Sequence, residues 1–155
     1  PFYIRLSRPN VPEVYQSSPE LRIGHAKILR DGTDVAIVAC GVMVNEACEA
    51  ADTLSRTGIS ALVIDSHTLK PLDSETIVAA ARKTGAVMTA EEQSVIGGLG
   101  SAVAVAVTEQ YPVKVSMVGV QDTFGESGEH KELMTKYGLT ARDIVNTARK
   151  TISSR

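Results

Sequence analysis

DVAIVACGVMVNEACEAADTLSRTG, residues 34–58, is the stretch that decides the fold. Val35–Ala39 is an unbroken apolar run ending at Cys40 and Gly41, as expected of a short strand covered on both faces. Behind it Val44, Ala47, Cys48, Ala51 and Leu54 recur at helical spacing, which predicts a helix over 44–57 closed by Gly58. A buried strand followed at once by an amphipathic helix is the first half of a crossover unit.

The unit repeats downstream. Residues 59–64 read as a second buried strand, followed by a helix that Asp73 or Ser74 caps and Gly85 stops. Residues 86–90 form a third strand and 98–110 a helix with Leu99, Ala102, Val103, Ala106 and Val107 on one stripe. Residues 113–118 make the fourth core strand, and helices over 129–137 and 141–153 complete the pattern, the last burying Ile144, Val145, Ala148 and Ile152. Upstream, 26–29 is a short strand that joins the sheet edge in either direction. Short connections between such units demand right-handed crossovers, so the expected class is α/β: three layers around a mainly parallel, mixed five-stranded sheet.

Composition agrees. At 155 residues, 43% hydrophobic and 22% charged, the chain suits one globular domain, and at this size no disulfide or metal is needed to hold a core. Cys40 and Cys48 have neither zinc-knuckle nor CxxC spacing and read as small buried apolar residues in a reducing cytoplasm. No apolar run approaches the roughly 20 residues of a membrane span, and no signal-peptide pattern opens the chain. The net charge of −2 gives no general attraction to nucleic acid or anionic lipid. The charge is uneven, however: residues 1–30 carry five basic groups (Arg5, Arg8, Arg22, Lys27, Arg30) against Glu13 and Glu20.

That basic head starts with Pro1 and a β-type run, Phe2, Tyr3, Ile4, Arg5, Leu6, which suggests a strand separated from upstream partners, in a piece of a longer polypeptide or a split subunit. Pro9, Asn10, Pro12, Ser17, Ser18 and Pro19 then favour turns, so this stretch reads as a linker.

Ligands of open α/β sheets gather at the carboxyl ends of strands. Cys40, Gly41, Val42, Met43 offers one glycine where a dinucleotide fingerprint needs three, which argues against that class. Asp65, Ser66 and His67, with Ser94 or Ser127, contain triad residue types, but the G-x-S-x-G elbow is absent. Glu91 and Glu92 precede Gly97, Gly98, Leu99, Gly100 and Ser101 at a helix start, without the Lys of a phosphate loop. Acidic side chains approaching the positive helix end account for this pattern; pairing of Glu91 and Glu92 across a subunit interface is the alternative. The stretch 121–128, QDTFGESG, carries glycines that serve either local turns or close approach by another chain. His25 and His130 lack an i, i+4 ligand partner for a metal. On an extended segment Arg5 and Arg8, three apart, point to opposite faces, and either one reads as a surface salt bridge or as a fork for a phosphate.

YIRLSRPNVP (3–12), DVAIVACG (34–41), AEEQSVIGGLGSA (90–102) and DTFGESGEHKELMTKYGLT (122–140) together resemble the C-terminal region of transketolase. The wider thiamine-diphosphate family shares this Rossmann-like domain, including deoxyxylulose-phosphate synthase and the β subunits of 2-oxo acid dehydrogenases. The RLSR head is similar to transketolase rather than to those relatives.

The resemblance implies the C-terminal part of an enzyme of the pentose phosphate pathway that moves a two-carbon ketol unit between sugar phosphates, using thiamine diphosphate and Mg or Ca. In the family, the cofactor and metal are held by the N-terminal domain through a GDG-type motif, and a middle-domain glutamate activates the thiazolium. Neither occurs here, so no catalytic, cofactor-binding or metal residue is assigned. By the same resemblance, 1–20 is the end of the middle domain and a linker, 21–155 is the C-terminal domain, and Arg8 binds the substrate phosphate. The implied partners are the N-terminal and middle domains, on the same chain or a separate subunit, in a cytoplasmic homodimer, with the isolated piece inactive. A stand-alone regulatory or anion-binding module is the reading from a different class.

Overall fold

The computed structural model describes residues 1–8 and 10–155. Five strands, β1 (Lys27–Arg30), β2 (Val35–Ala39), β3 (Ala61–Asp65), β4 (Val87–Ser94) and β5 (Val115–Val120), form one sheet in the order β1-β3-β2-β4-β5. All neighbours are parallel except β1, which runs antiparallel to β3. The direction of the first strand, open from sequence, is thereby settled. Every residue of β2 and β3 is buried, the signature of a parallel strand covered on both faces.

Helices α1 (Met43–Ser55) and α5 (Ala141–Ile152) cover one face, and α2 (Ser74–Thr84) and α3 (Leu99–Gln110) the other. On the first face Met43, Ala47, Leu54, Ile144 and Ala148 meet Ile37, Val63 and Met88. On the second, Ile77, Ala81, Leu99, Val103 and Val107 meet Val38, Ile64 and Val87. The short α4 (His130–Lys136) adds Met134 to the first core. Each large side chain sealed this way contributes about 1.5–3 kcal/mol. Among the described residues, no helix is long and apolar enough to cross a membrane.

The caps follow local chemistry. Asp73 precedes α2, and its carboxylate accepts from the Thr76 N–H (3.0 Å), the Thr76 hydroxyl (2.8 Å) and the Ala26 N–H just before β1 (2.8 Å). Gly85 ends α2 in the left-handed conformation. Glu46 of α1 accepts from the Ala141 N–H at 2.7 Å, so one helix of the first face caps the other.

Three expectations need correction. No strand forms within 1–8: Phe2, Tyr3, Ile4 and Leu6 are between 75% and 89% exposed, because no neighbouring strand pairs with them. The third core strand does not stop at 90 but continues to Ser94, since β5 pairs with it again at Ser94 and Val120 after a register shift. The second and fourth strands begin two residues later than the apolar runs imply. Pro9, part of the expected turn, lies outside the described residues.

The Asp73 tie is pH-dependent. Burial alone would raise its pKa, but the Thr76 and Ala26 donors outweigh burial and hold it below 3.8. A depressed folded-state pKa adds stability above the unfolded value that disappears as pH falls through the folded one. Asp73→Ala is expected to cost about 1 kcal/mol near neutrality. In urea titrations, the gap from the parent chain should narrow as pH drops below 3.8.

Candidate functional site at the carboxyl edge of the sheet

The chain leaves β2 and β4 toward opposite faces, through α1 and α3, so the carboxyl ends of these adjacent strands flank the crevice where such sheets bind ligands. Here the chain covers that crevice itself. The Arg5 guanidinium donates to Glu92 Oε1 at 2.5 Å and the Ser7 hydroxyl donates to the same oxygen at 3.1 Å. Farther on, Val14 packs on the first core, and the Tyr15 hydroxyl donates to Asp65 Oδ2 at 2.6 Å. His67 Nε2 lies 3.2 Å from the Arg22 carbonyl oxygen. Glu92 belongs to β4 and Asp65 ends β3, with β2 between them, so the anchors at Arg5, Ser7 and Tyr15 lie on either side of the β2 end, and Asn10, Val11 and Pro12 lie beside the start of α1.

Two groups here are withdrawn from reaction, Cys40 just after β2 and Tyr15 of the strap itself. Burial, then the nearby Glu91 and Asp65 carboxylates, push the Cys40 thiol up to about 12, which removes its nucleophilic form. Burial and the Asp65 hydrogen bond raise the Tyr15 pKa as well.

Glu91 is fully buried, and its two oxygens accept from the Leu99 N–H (2.8 Å) and the Gly100 N–H (2.7 Å) at the start of α3. Burial pushes its pKa up and the two donors pull it back. A Cβ on Gly98 would lie 2.0 Å from Glu91 Oε2 and 2.6 Å from the Ser94 carbonyl oxygen, so only glycine admits the carboxylate. The anion position at this helix end is filled by the protein's own side chain, and a cofactor diphosphate does not fit there. Among the described residues no three His, Cys, Asp or Glu side chains group as metal ligands.

The structure places the other sequence candidates as follows. Asp65 is taken by Tyr15, Ser66 by the Thr68 carbonyl at 3.4 Å, and His67 by Arg22; among the described residues none of them bonds Ser94 or Ser127, so no triad assembles. The reading of an acidic residue at the helix end holds for Glu91, while Glu92 accepts from Arg5 and Ser7 of the same chain. In the 121–128 loop, Tyr137 donates to the Phe124 carbonyl (3.3 Å) and to Glu126 (2.8 Å), and Phe124 is 99% exposed. Arg8 is exposed and makes no hydrogen bond or ion pair with the described residues. Sequence reasoning misses Tyr15. Its only signal is the apolar pair Val14 and Tyr15 within a turn-rich segment.

The family model described as transketolase, C-terminal domain, matches residues 24–144. The chain belongs to this family. It is 49% identical over 148 residues to a 6-deoxy-6-sulfo-D-fructose transketolase subunit, SqwH, of Clostridium sp. (strain MSTE9), covering 96% of this chain and 46% of the relative. It is 41% identical to the 1-deoxy-D-xylulose-5-phosphate synthase of Syntrophotalea carbinolica, over 90% of this chain and 22% of that enzyme. A solved structure described as a split gene transketolase, inactive β4 tetramer, superimposes with a TM-score of 0.86 at 51% identity, covering 92% of this chain and 46% of its own. The chain thus spans about half the length of the transketolase subunits it matches. As a transketolase C-terminal domain it has its carboxyl edge closed by its own leading segment.

The Glu91 cap is testable by stability. Glu91→Gln keeps the shape but turns an amide toward one of two buried N–H donors, an expected loss of about 1–3 kcal/mol. Gly98→Ala should cost a similar amount, about 1–3 kcal/mol, through the close approach. Denaturant midpoints that stay at the parent value for both would refute this account.

Proposed function

We propose that this chain is the C-terminal portion of a transketolase that transfers a two-carbon ketol unit between sugar phosphates, with thiamine diphosphate and Mg or Ca held by the N-terminal and middle domains of the same chain or a companion subunit. The observation that carries this reading is the 49% identity to a transketolase subunit of about twice the length. The filled anion position at α3 supports it, because Glu91 already holds the Leu99 and Gly100 N–H groups that a diphosphate would need there.

Residues 1–20 read as the end of the middle domain and a linker, and 21–155 as the C-terminal domain. The exposed apolar side chains of Phe2, Tyr3, Ile4 and Leu6, and a family match that begins at residue 24, support that division. The split-gene neighbour is described as an inactive β4 tetramer, which supports an inactive isolated chain and self-association. A cytoplasmic location fits two unpaired cysteines, and the resemblance to transketolase implies a dimeric complete enzyme of the pentose phosphate pathway.

Arg8 is the residue assigned to the substrate. Its exposed guanidinium, free of partners among the described residues, suits bidentate capture of a phosphate. The phosphate lies at the far end of the sugar from the reacting carbon, so the contact adds affinity and orientation rather than chemistry. Deoxyxylulose-phosphate synthase is the second reading, favoured by the 41% identity to one such enzyme, and use of pyruvate by the assembled protein would select it.

Mixing the chain with the companion half should restore ketol transfer, whereas the chain alone should show none; turnover by the chain alone would refute the proposal. In the assembled enzyme, Arg8→Ala should raise KM for phosphorylated substrates about ten- to a hundredfold and leave KM for unphosphorylated analogues nearly unchanged.

A further inference from the structure

Adjacent residues on a strand point to opposite sides, and the neighbours Glu91 and Glu92 are divided in this way. Glu91 turns to α3, whereas Glu92 meets the leading segment. Its side chain is only 14% exposed, and one oxygen receives both the Arg5 guanidinium and the Ser7 hydroxyl. The residue next to Ser7 is Arg8.

We propose that Glu92 is a positioning residue for phosphate recognition, holding the backbone immediately before Arg8 so that this guanidinium is presented to the substrate. The inference rests on the assignment of Arg8 made above.

Two physical effects act together. Glu92 fixes the chain at residues 5 and 7, while Val14 in the core and Tyr15 on Asp65 fix it on the other side. Arg8 therefore sits on a short span between two anchors, and less backbone has to be ordered when a phosphate arrives. The second effect is selection between two cations. With Glu92 neutralising Arg5, Arg8 remains as the uncompensated guanidinium of the RLSR block, so an anion meets one binding geometry instead of two. An ordinary surface ion pair would stabilise the fold slightly and leave substrate choice alone.

The test compares, in the assembled enzyme, kcat/KM for a ketose phosphate and for the same ketose without its phosphate. Glu92→Ala should lower the ratio of the two about fivefold, and Glu92→Gln, which still accepts from Ser7, should fall between Glu92→Ala and the parent. Adding Arg5→Met to Glu92→Ala should lower the ratio no further, because both changes break one clamp. Equal losses on both ketoses for Glu92→Ala, while Arg8→Ala still discriminates between them, overturn the positioning role and leave the Arg8 assignment standing. Equal losses for Arg8→Ala overturn that assignment, and this inference with it.

Discussion

A carboxylate sealed from water must find donors, and the capture of Glu91 by the first N–H groups of α3 is the constraint on which the rest of the structure turns. It explains why Gly98 has no side chain, since any Cβ would collide with the Glu91 oxygen. It settles what the helix end can bind, because its donors are already used. It also orients β4, so that the next residue, Glu92, emerges on the side where the leading segment passes. One satisfied charge thus links strand, helix and strap.

The core is legible because buried parallel strands write themselves as apolar runs. Val35–Ala39 is predicted and observed over the same residues, and the helix after it differs from expectation only at its ends. Boundaries slip where polar residues continue a strand. The AEEQS stretch reads as a loop by composition, yet Glu91 and Glu92 lie within β4 because β5 runs far enough to pair again beyond the register shift. Phe2 to Leu6 shows the opposite failure. These residues carry strong β propensity, but a strand exists only where another strand pairs with it, and none does among the described residues.

The site is less legible for a related reason. Arg8 draws attention through resemblance, since nothing in the local sequence separates it from Arg5. What separates the two is Glu92, 87 residues beyond Arg5, and no local pattern reports a pair that distant. Tyr15 and Asp65, 50 residues apart, are the same case. Asp65, Ser66 and His67 are the opposite trap: residue types that suggest catalysis, each engaged instead in holding or turning the chain.

Closure of the carboxyl edge bears on how such a domain can take part in chemistry at all. In an open sheet of this topology the crevice between β2 and β4 is where a ligand would settle, but here Cys40 lies beneath the strap with its thiol held protonated. On the proposed reading, the phosphate end of a substrate meets the outer surface of the strap, where Arg8 is exposed. The same segment carries the exposed Phe2, Tyr3, Ile4 and Leu6, side chains whose burial requires another polypeptide surface. A basic, apolar and anchored strap is therefore suited to join two bodies of protein at the place where an anionic substrate enters, which is the arrangement the proposed half-enzyme requires.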